Sequence, residues 1–430
     1  MFSAALWLAS HPEVQGRLYL AWSEPEVIGP HARVLAAALA AAAPAGLRWQ
    51  AVERPDLDHA TIYRTLAPEV LPALYTDERE AFDLRVPHQP APVTVEDRAL
   101  LFYEIHMTNF SRQPLAPVSI DVLDADTGAT VARYAGQELA GRLAPVAAGH
   151  GDVGAIAPGT AGVMYVELAL DPDAMPSALR HRVGYRVNDD IGIRTTVAGG
   201  KVQINPDPPV VIRPPLRGGP WAAVFSPHWE RGHRRVIYAV GGQATVPGRF
   251  AIDFVKLDAA GRVATDDADL IRNAHGYGEP VLAVADATVV AVRNDYPEAE
   301  RISRNGRHPL SKGSGNYIML ELDSGHYAIY EHLRPGSVTV VPGQRVGRGD
   351  VIGEVGLSGS GAWPHLHLHL ADKPSLLGGE GLPYAFDHFV VRGRYGDIAD
   401  LGVRRWTDLE ASPRYAERPA VNTVVEFPEK

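Results

Sequence analysis

From about residue 95 onward the chain is built of short runs in which apolar and polar residues alternate, and helical periodicity is scarce. Residues 100–107, 118–123, 130–134 and 161–170 each read this way, with Asp124-Ala125-Asp126-Thr127-Gly128 as a turn between two of them. Period-2 alternation puts one face of a strand on a core and the other toward polar surroundings. The spacing predicts a β-sandwich of immunoglobulin-like size over 95–205. Runs at 249–255, 280–285, 288–292, 316–322 and 326–333 predict a second, antiparallel β domain over 220–395. Proline clusters at 86–92 and 206–215 mark boundaries, the second within a linker over 206–219. Residues 1–92 form an N-terminal segment without a legible architecture, and 396–430 read as an irregular, charged extension. The predicted fold class is mainly β.

The chemistry concentrates in Pro364-His365-Leu366-His367-Leu368-His369-Leu370. On a strand the three histidines project to one side, roughly 6.6–7 Å apart per step, while the leucines face a core. Neutral imidazole is the commonest metal ligand and the side chain best suited to proton transfer near neutral pH. The row therefore points to a metal or acid–base site. Glycines punctuate 342–356 in the manner of tight hairpins, and Ser358-Gly359-Ser360-Gly361 reads as a turn. Gly356-Leu357-Ser358-Gly359-Ser360 lacks the last glycine spacing of a nucleophile elbow. Asp266-Asp267-Ala268-Asp269 reads as a solvated acidic loop, and His106, His150 and His181 as scattered surface or core histidines.

The absence of cysteine excludes disulfides, thiolate metal sites and a cysteine nucleophile. A net charge of −10 argues against a nucleic-acid partner. Residues 33–45 combine Arg33, an apolar stretch and small residues at Ala41, Ala43 and Ala45. They suit either an Ala/Leu-rich helix or a cryptic export signal, and are too short to span a bilayer.

Asp253 in Ala251-Ile252-Asp253-Phe254, the block 278–290, Gly315-Asn316-Tyr317, Tyr330-Glu331-His332-Leu333, the glycine hairpin and Pro364-His365-Leu366-His367 occur in an order that resembles the lysostaphin/LytM-type zinc endopeptidases of bacterial cell walls. The resemblance covers the C-terminal domain, and the sandwich upstream resembles accessory domains more weakly. It implies a LytM-like β fold, one Zn2+, Asp253 and His367 as ligands, and His332 and His365 as catalytic histidines. It further implies hydrolysis of peptide cross-links between peptidoglycan stems, in the periplasm or outside the cell.

The family's first ligand is a histidine four residues before the aspartate, where this chain has Arg249. A guanidinium stays protonated and has no lone pair for a metal. His233 is the first candidate to replace it, with His275 and His369 as alternatives. With no replacement, Arg249 would be left beside Asp253 as an ion pair. The resemblance then leaves two functions open: a zinc endopeptidase, or a degenerate module that binds cell wall or regulates a partner cell-wall hydrolase.

Overall fold

The computed structural model describes residues 7, 10–12, 14, 16–23, 28–44, 46–58, 60–75, 80–146, 154–171, 174–187, 194–226, 229 and 233–429. Strand is the main secondary structure, in two compact units. One comprises Met1–Gln89, Tyr103–Val166 and Pro176–Ile204, the other Pro90–Phe102, Glu167–Met175 and Asn205–Lys430. The stretch 95–205, expected as one sandwich, is thus divided, with 95–102 and 167–175 grouped with the C-terminal residues. The strands Arg98–Asn109 and Ala161–Leu170 both run across that division. Nothing in their period says which core each end of a strand enters.

The first unit opens with an α/β element that the sequence left unread. Gly16–Trp22 pairs in parallel with Leu47–Glu53, and helix Gly29–Ala42 makes the crossover that a parallel pair requires. Its alanines are strong helix formers and a proline sits in its first turn. Most of the 33–45 stretch is therefore helix, with Leu39 buried. Trp22, Ala32 and Ala51 pack together, and a further helix spans Ile62–Tyr75. An antiparallel sheet follows, in the order Arg194–Gln203, Ala178–Val187, Leu115–Asp124 and Thr130–Ala135. Among the described residues no helix is long and apolar enough to cross a membrane.

His150 lies outside the described residues, whereas His181 is fully buried. Its Nδ1–H donates to the Gly200 carbonyl (3.0 Å), so its Nε2 accepts from the Tyr103 hydroxyl (2.9 Å). Burial lowers its pKa to about 4, against the hydrogen bond to Gly200. The folded state thus holds the neutral ring and the unfolded state binds the proton more readily. Its contribution to stability is fully present above about pH 6.5 and is lost as pH falls toward 4, on the order of 3 kcal/mol over that span. Urea unfolding at pH 7 and pH 4.5 should show a larger loss in the wild type than in His181→Gln.

In the second unit an eleven-stranded sheet puts the histidine strand, Leu366–Ala371, between Tyr327–Leu333 and Ile252–Lys256. Leu366, Leu368 and Leu370 are fully buried in the main core with Ile252, Phe254 and Tyr330, each Leu worth about 1.5–3 kcal/mol of transfer free energy. Next to Ile252–Lys256 comes Gly218–Val224, then Thr423–Phe427. The C-terminal stretch 396–430 is therefore not an irregular extension. Thr423–Phe427 is an interior strand and Thr407–Arg414 lies at the sheet's end. Val424 and Val425 are fully buried. The apolar runs are short and the charges dense, so pairing partners far upstream decide their structure.

Candidate metal centre

Three neighbouring strands build the site. Asp253 stands opposite His367, and His367 stands opposite Glu331. Directly opposed residues share a face, so two carboxylates flank an imidazole in one row. His367 Nδ1 lies 2.8 Å from Asp253 Oδ1. His233 enters from a short helical turn, His233–Arg235, and brings Nε2 within 3.2 Å of Asp253 Oδ2. Its close approach depends on Gly248, where a Cβ would stand 2.9 Å from both the Cβ and the carbonyl oxygen of His233. His233, Asp253 and His367 each offer a ligand atom, all within 4.8 Å of one another.

Strict alternation would send Glu331 and His332 to opposite faces. Instead the pairing with Asn316–Leu322 shifts register between Asn316 and Ile318, and His332 takes φ +66°, a conformation uncommon outside glycine. Both residues line the same cleft. His332 Nδ1–H donates to the Ser358 carbonyl at 3.0 Å, which leaves the lone pair of the neutral ring on Nε2. The Ser358 turn comes this close because residue 315 is glycine, where a Cβ would lie 2.1 Å from Ser358 O. His365 sits just before the strand, bridged to Gly356, and donates through Nδ1 to Trp363 O at 2.6 Å. Its Nε2 lies 3.6 Å from Asp253 Oδ1 and its ring centroid 4.7 Å from that of His332.

Arg249 does not pair with Asp253. Its guanidinium is buried against Glu380, and Glu380 Oε2 also accepts from the Val246 amide. The turn that carries Arg249 is held from the far end of the chain, for buried Arg418 donates to the carbonyls of Phe250 (2.8 Å) and Ala251 (3.3 Å). His275 turns to Asp258, 3.9 Å away. His369 sits beside His367, with Nδ1 3.0 Å from His367 Nε2.

Burial raises the Asp253 carboxyl, but the charges of His233 and His365 and the hydrogen bonds from His233 and His367 overcome it and hold the group well below the usual carboxylate range. Burial, then the like charges of His365 and His367, push His332 well below its ordinary value. The same burial acts on His367, yet the hydrogen bond to Asp253 and the Glu331 and Asp253 carboxylates raise it. One buried histidine is thus kept neutral beside another held for a carboxylate.

Residues 269–376 match the model of peptidase family M23. They form an M23 peptidase domain. His332, His365, His367 and His369 lie inside the match, whereas His233, Arg249 and Asp253 precede it. No curated protein matches the chain. Among solved structures, the M23 domain and its surroundings are similar to the catalytic domain of the antimicrobial peptidase lysostaphin from Staphylococcus simulans (20% identity, 39% of this chain and 88% of that one, TM-score 0.21). A prophage-encoded M23 protein, EnpA, from Enterococcus faecalis gives 18% identity over 39% and 91%, with TM-score 0.22. A zinc-containing peptidase from Vibrio cholerae gives 16% over 73% and 90%, with TM-score 0.20.

The residues present suit zinc. Two imidazoles and a carboxylate converge, and a three-ligand set leaves a position for water. Of the residues singled out in the sequence, His233, Asp253, His365 and His367 come together with His332 beside them, while Arg249 and His275 stand apart. Glu331 carried no assigned role in the sequence. Its signal was its pairing opposite His367, legible only once the register of the two strands is known.

Proposed function

We propose that the C-terminal unit is a zinc-dependent endopeptidase that hydrolyses peptide cross-links of bacterial peptidoglycan, working in the periplasm or outside the cell. The observation that carries this reading is the convergence of His233 and His367 on Asp253, with His332 lining the same cleft of about 310 Å³ and His365 packed against the His332 ring. His233, Asp253 and His367 would hold one zinc ion. When bound, zinc supplies a Lewis acid and a water acidic enough to ionise near neutral pH. His332, neutral and fixed through Nδ1, takes up a proton at Nε2 and returns it to the leaving amine. His365, beside the Asp253 carboxylate, is the partner for a developing oxyanion. Leu310, Leu376, Leu377 and Val236 give the cleft apolar walls along which a peptide stem can lie.

Arg249 favours a second reading, a degenerate LytM-like module that binds cell wall or regulates a cell-wall hydrolase. The two are separated by incubating the protein with purified sacculi and measuring soluble muropeptides. The peptidase reading expects release that a chelator stops and added zinc restores, and that His233→Ala abolishes. Sedimentation with sacculi without any release would sink the peptidase reading in favour of the binding module.

A further inference from the structure

An imidazole has two ring nitrogens, and those of His367 face different neighbours. Nδ1 looks toward Asp253, on the side where His233 approaches. Nε2 looks toward His369 Nδ1 at 3.0 Å, and Glu331 stands opposite His367 on the adjoining strand. Glu331, His367 and His369 each offer a ligand atom within 4.8 Å of the others, and all three are buried. This set shares only His367 with the His233–Asp253–His367 set.

Hydrogen bonding accounts for only part of the second set, in which His367 Nε2 and His369 Nδ1 share one hydrogen bond. His369 is 2% exposed, yet its Nε2 is buried with no hydrogen-bond partner among the described residues, a desolvation loss for a purely structural histidine. Glu331 is 8% exposed and has the Ser314 hydroxyl as a hydrogen-bond partner; the positive groups that bear on it are the imidazoles of His367 and His233. Buried carboxylates are normally paired with cations or coordinate metals. The 3.0 Å between the two histidine nitrogens is close to the roughly 3.3 Å that separates two nitrogen ligands of one tetrahedral zinc. All three residues line the cleft, which gives an ion an entry path and room for water.

We propose that Glu331, His367 and His369 form a second transition-metal site, joined to the first through the two nitrogens of His367. Two imidazoles and a carboxylate suit Zn2+ or Cu2+ rather than Mg2+ or Ca2+. With both sites filled His367 is an imidazolate, and its second ring proton has left to solvent. The second site shares only His367 with the first and uses none of His233, Asp253 or Arg249, so its zinc is lost or kept separately from the first.

The test is bound zinc, measured by elemental analysis after equilibrium dialysis of the full chain at fixed free zinc. Two zinc ions per chain are expected in the wild type, one in Asp253→Asn, one in His369→Gln and one in Glu331→Gln, with thermal melting checking that each variant is folded. A single zinc that survives Asp253→Asn but is lost in His369→Gln supports the second site and overturns the ligand set assigned to the first. Zinc that disappears entirely in Asp253→Asn, or a wild type with only one zinc that both His369→Gln and Glu331→Gln retain, overturns the second site.

Discussion

Asp253→Ala is expected to reduce muropeptide release from sacculi by more than about 100-fold and to remove one bound zinc ion per chain. Loss of a group that only supports a metal ligand costs roughly 10–100-fold, and Asp253 is the centre on which the ligand set converges. It contacts His233 at 3.2 Å, His367 at 2.8 Å and His365 at 3.6 Å. Its carboxyl is held well below the usual carboxylate range by those imidazoles, so it is ionised throughout the pH range in which the protein would be assayed. Asp253→Asn keeps the shape and a hydrogen-bonding oxygen but removes the charge. It should lose release nearly as completely as Asp253→Ala. If Asp253→Asn instead works at close to the wild-type rate, Asp253 is a scaffold for the histidines and not a ligand.

The histidine strand was legible because its signal is local. Alternation at Pro364–Leu370 requires no knowledge of its partners, and the leucines enter the core while His367 and His369 line the cleft, as the pleat dictates. Asp253 and His332 were legible only through resemblance, since each lies on a different strand and nothing local links them to His367. What the chain hid is set by register and close approach. Glu331 reaches the cleft because its strand pairs with the histidine strand and sets it opposite His367, and His332 joins it through a bulge and a positive φ. His233 reaches Asp253 because residue 248 has no side chain. Arg249 would have stood beside Asp253 only with no replacement ligand, and a partner 131 positions later takes its guanidinium. The C-terminal strand failed to register for the same reason, its burial being conferred by Gly218–Val224 and Phe389–Arg394 on either side.

Glu380→Ala is expected to destabilise the C-terminal unit more than any single change at the cleft. Arg249 and Glu380 side chains are both 6% exposed and face one another. Removing the carboxylate takes a counter-charge from a guanidinium that cannot shed its proton in a buried site, a loss of up to about 3–5 kcal/mol. For a unit of this size that is roughly a 6–20 °C fall in Tm. The pair also fixes local geometry, for Glu380 Oε2 accepts from the Val246 amide at 3.3 Å and Arg249 Nη1 reaches Gly381 O at 3.4 Å. Arg249→Met combined with Glu380→Leu removes both charges together and should recover most of the lost Tm, because an apolar pair of similar volume escapes the desolvation cost. The double variant also tests whether Arg249 matters to the metal. Its side chain points away from Asp253, so bound zinc and muropeptide release should match the wild type once stability returns. Recovered Tm with zinc still missing would instead bring the Arg249–Glu380 pair into the metal site itself, as a support that holds the turn before Asp253 in the position ligation needs.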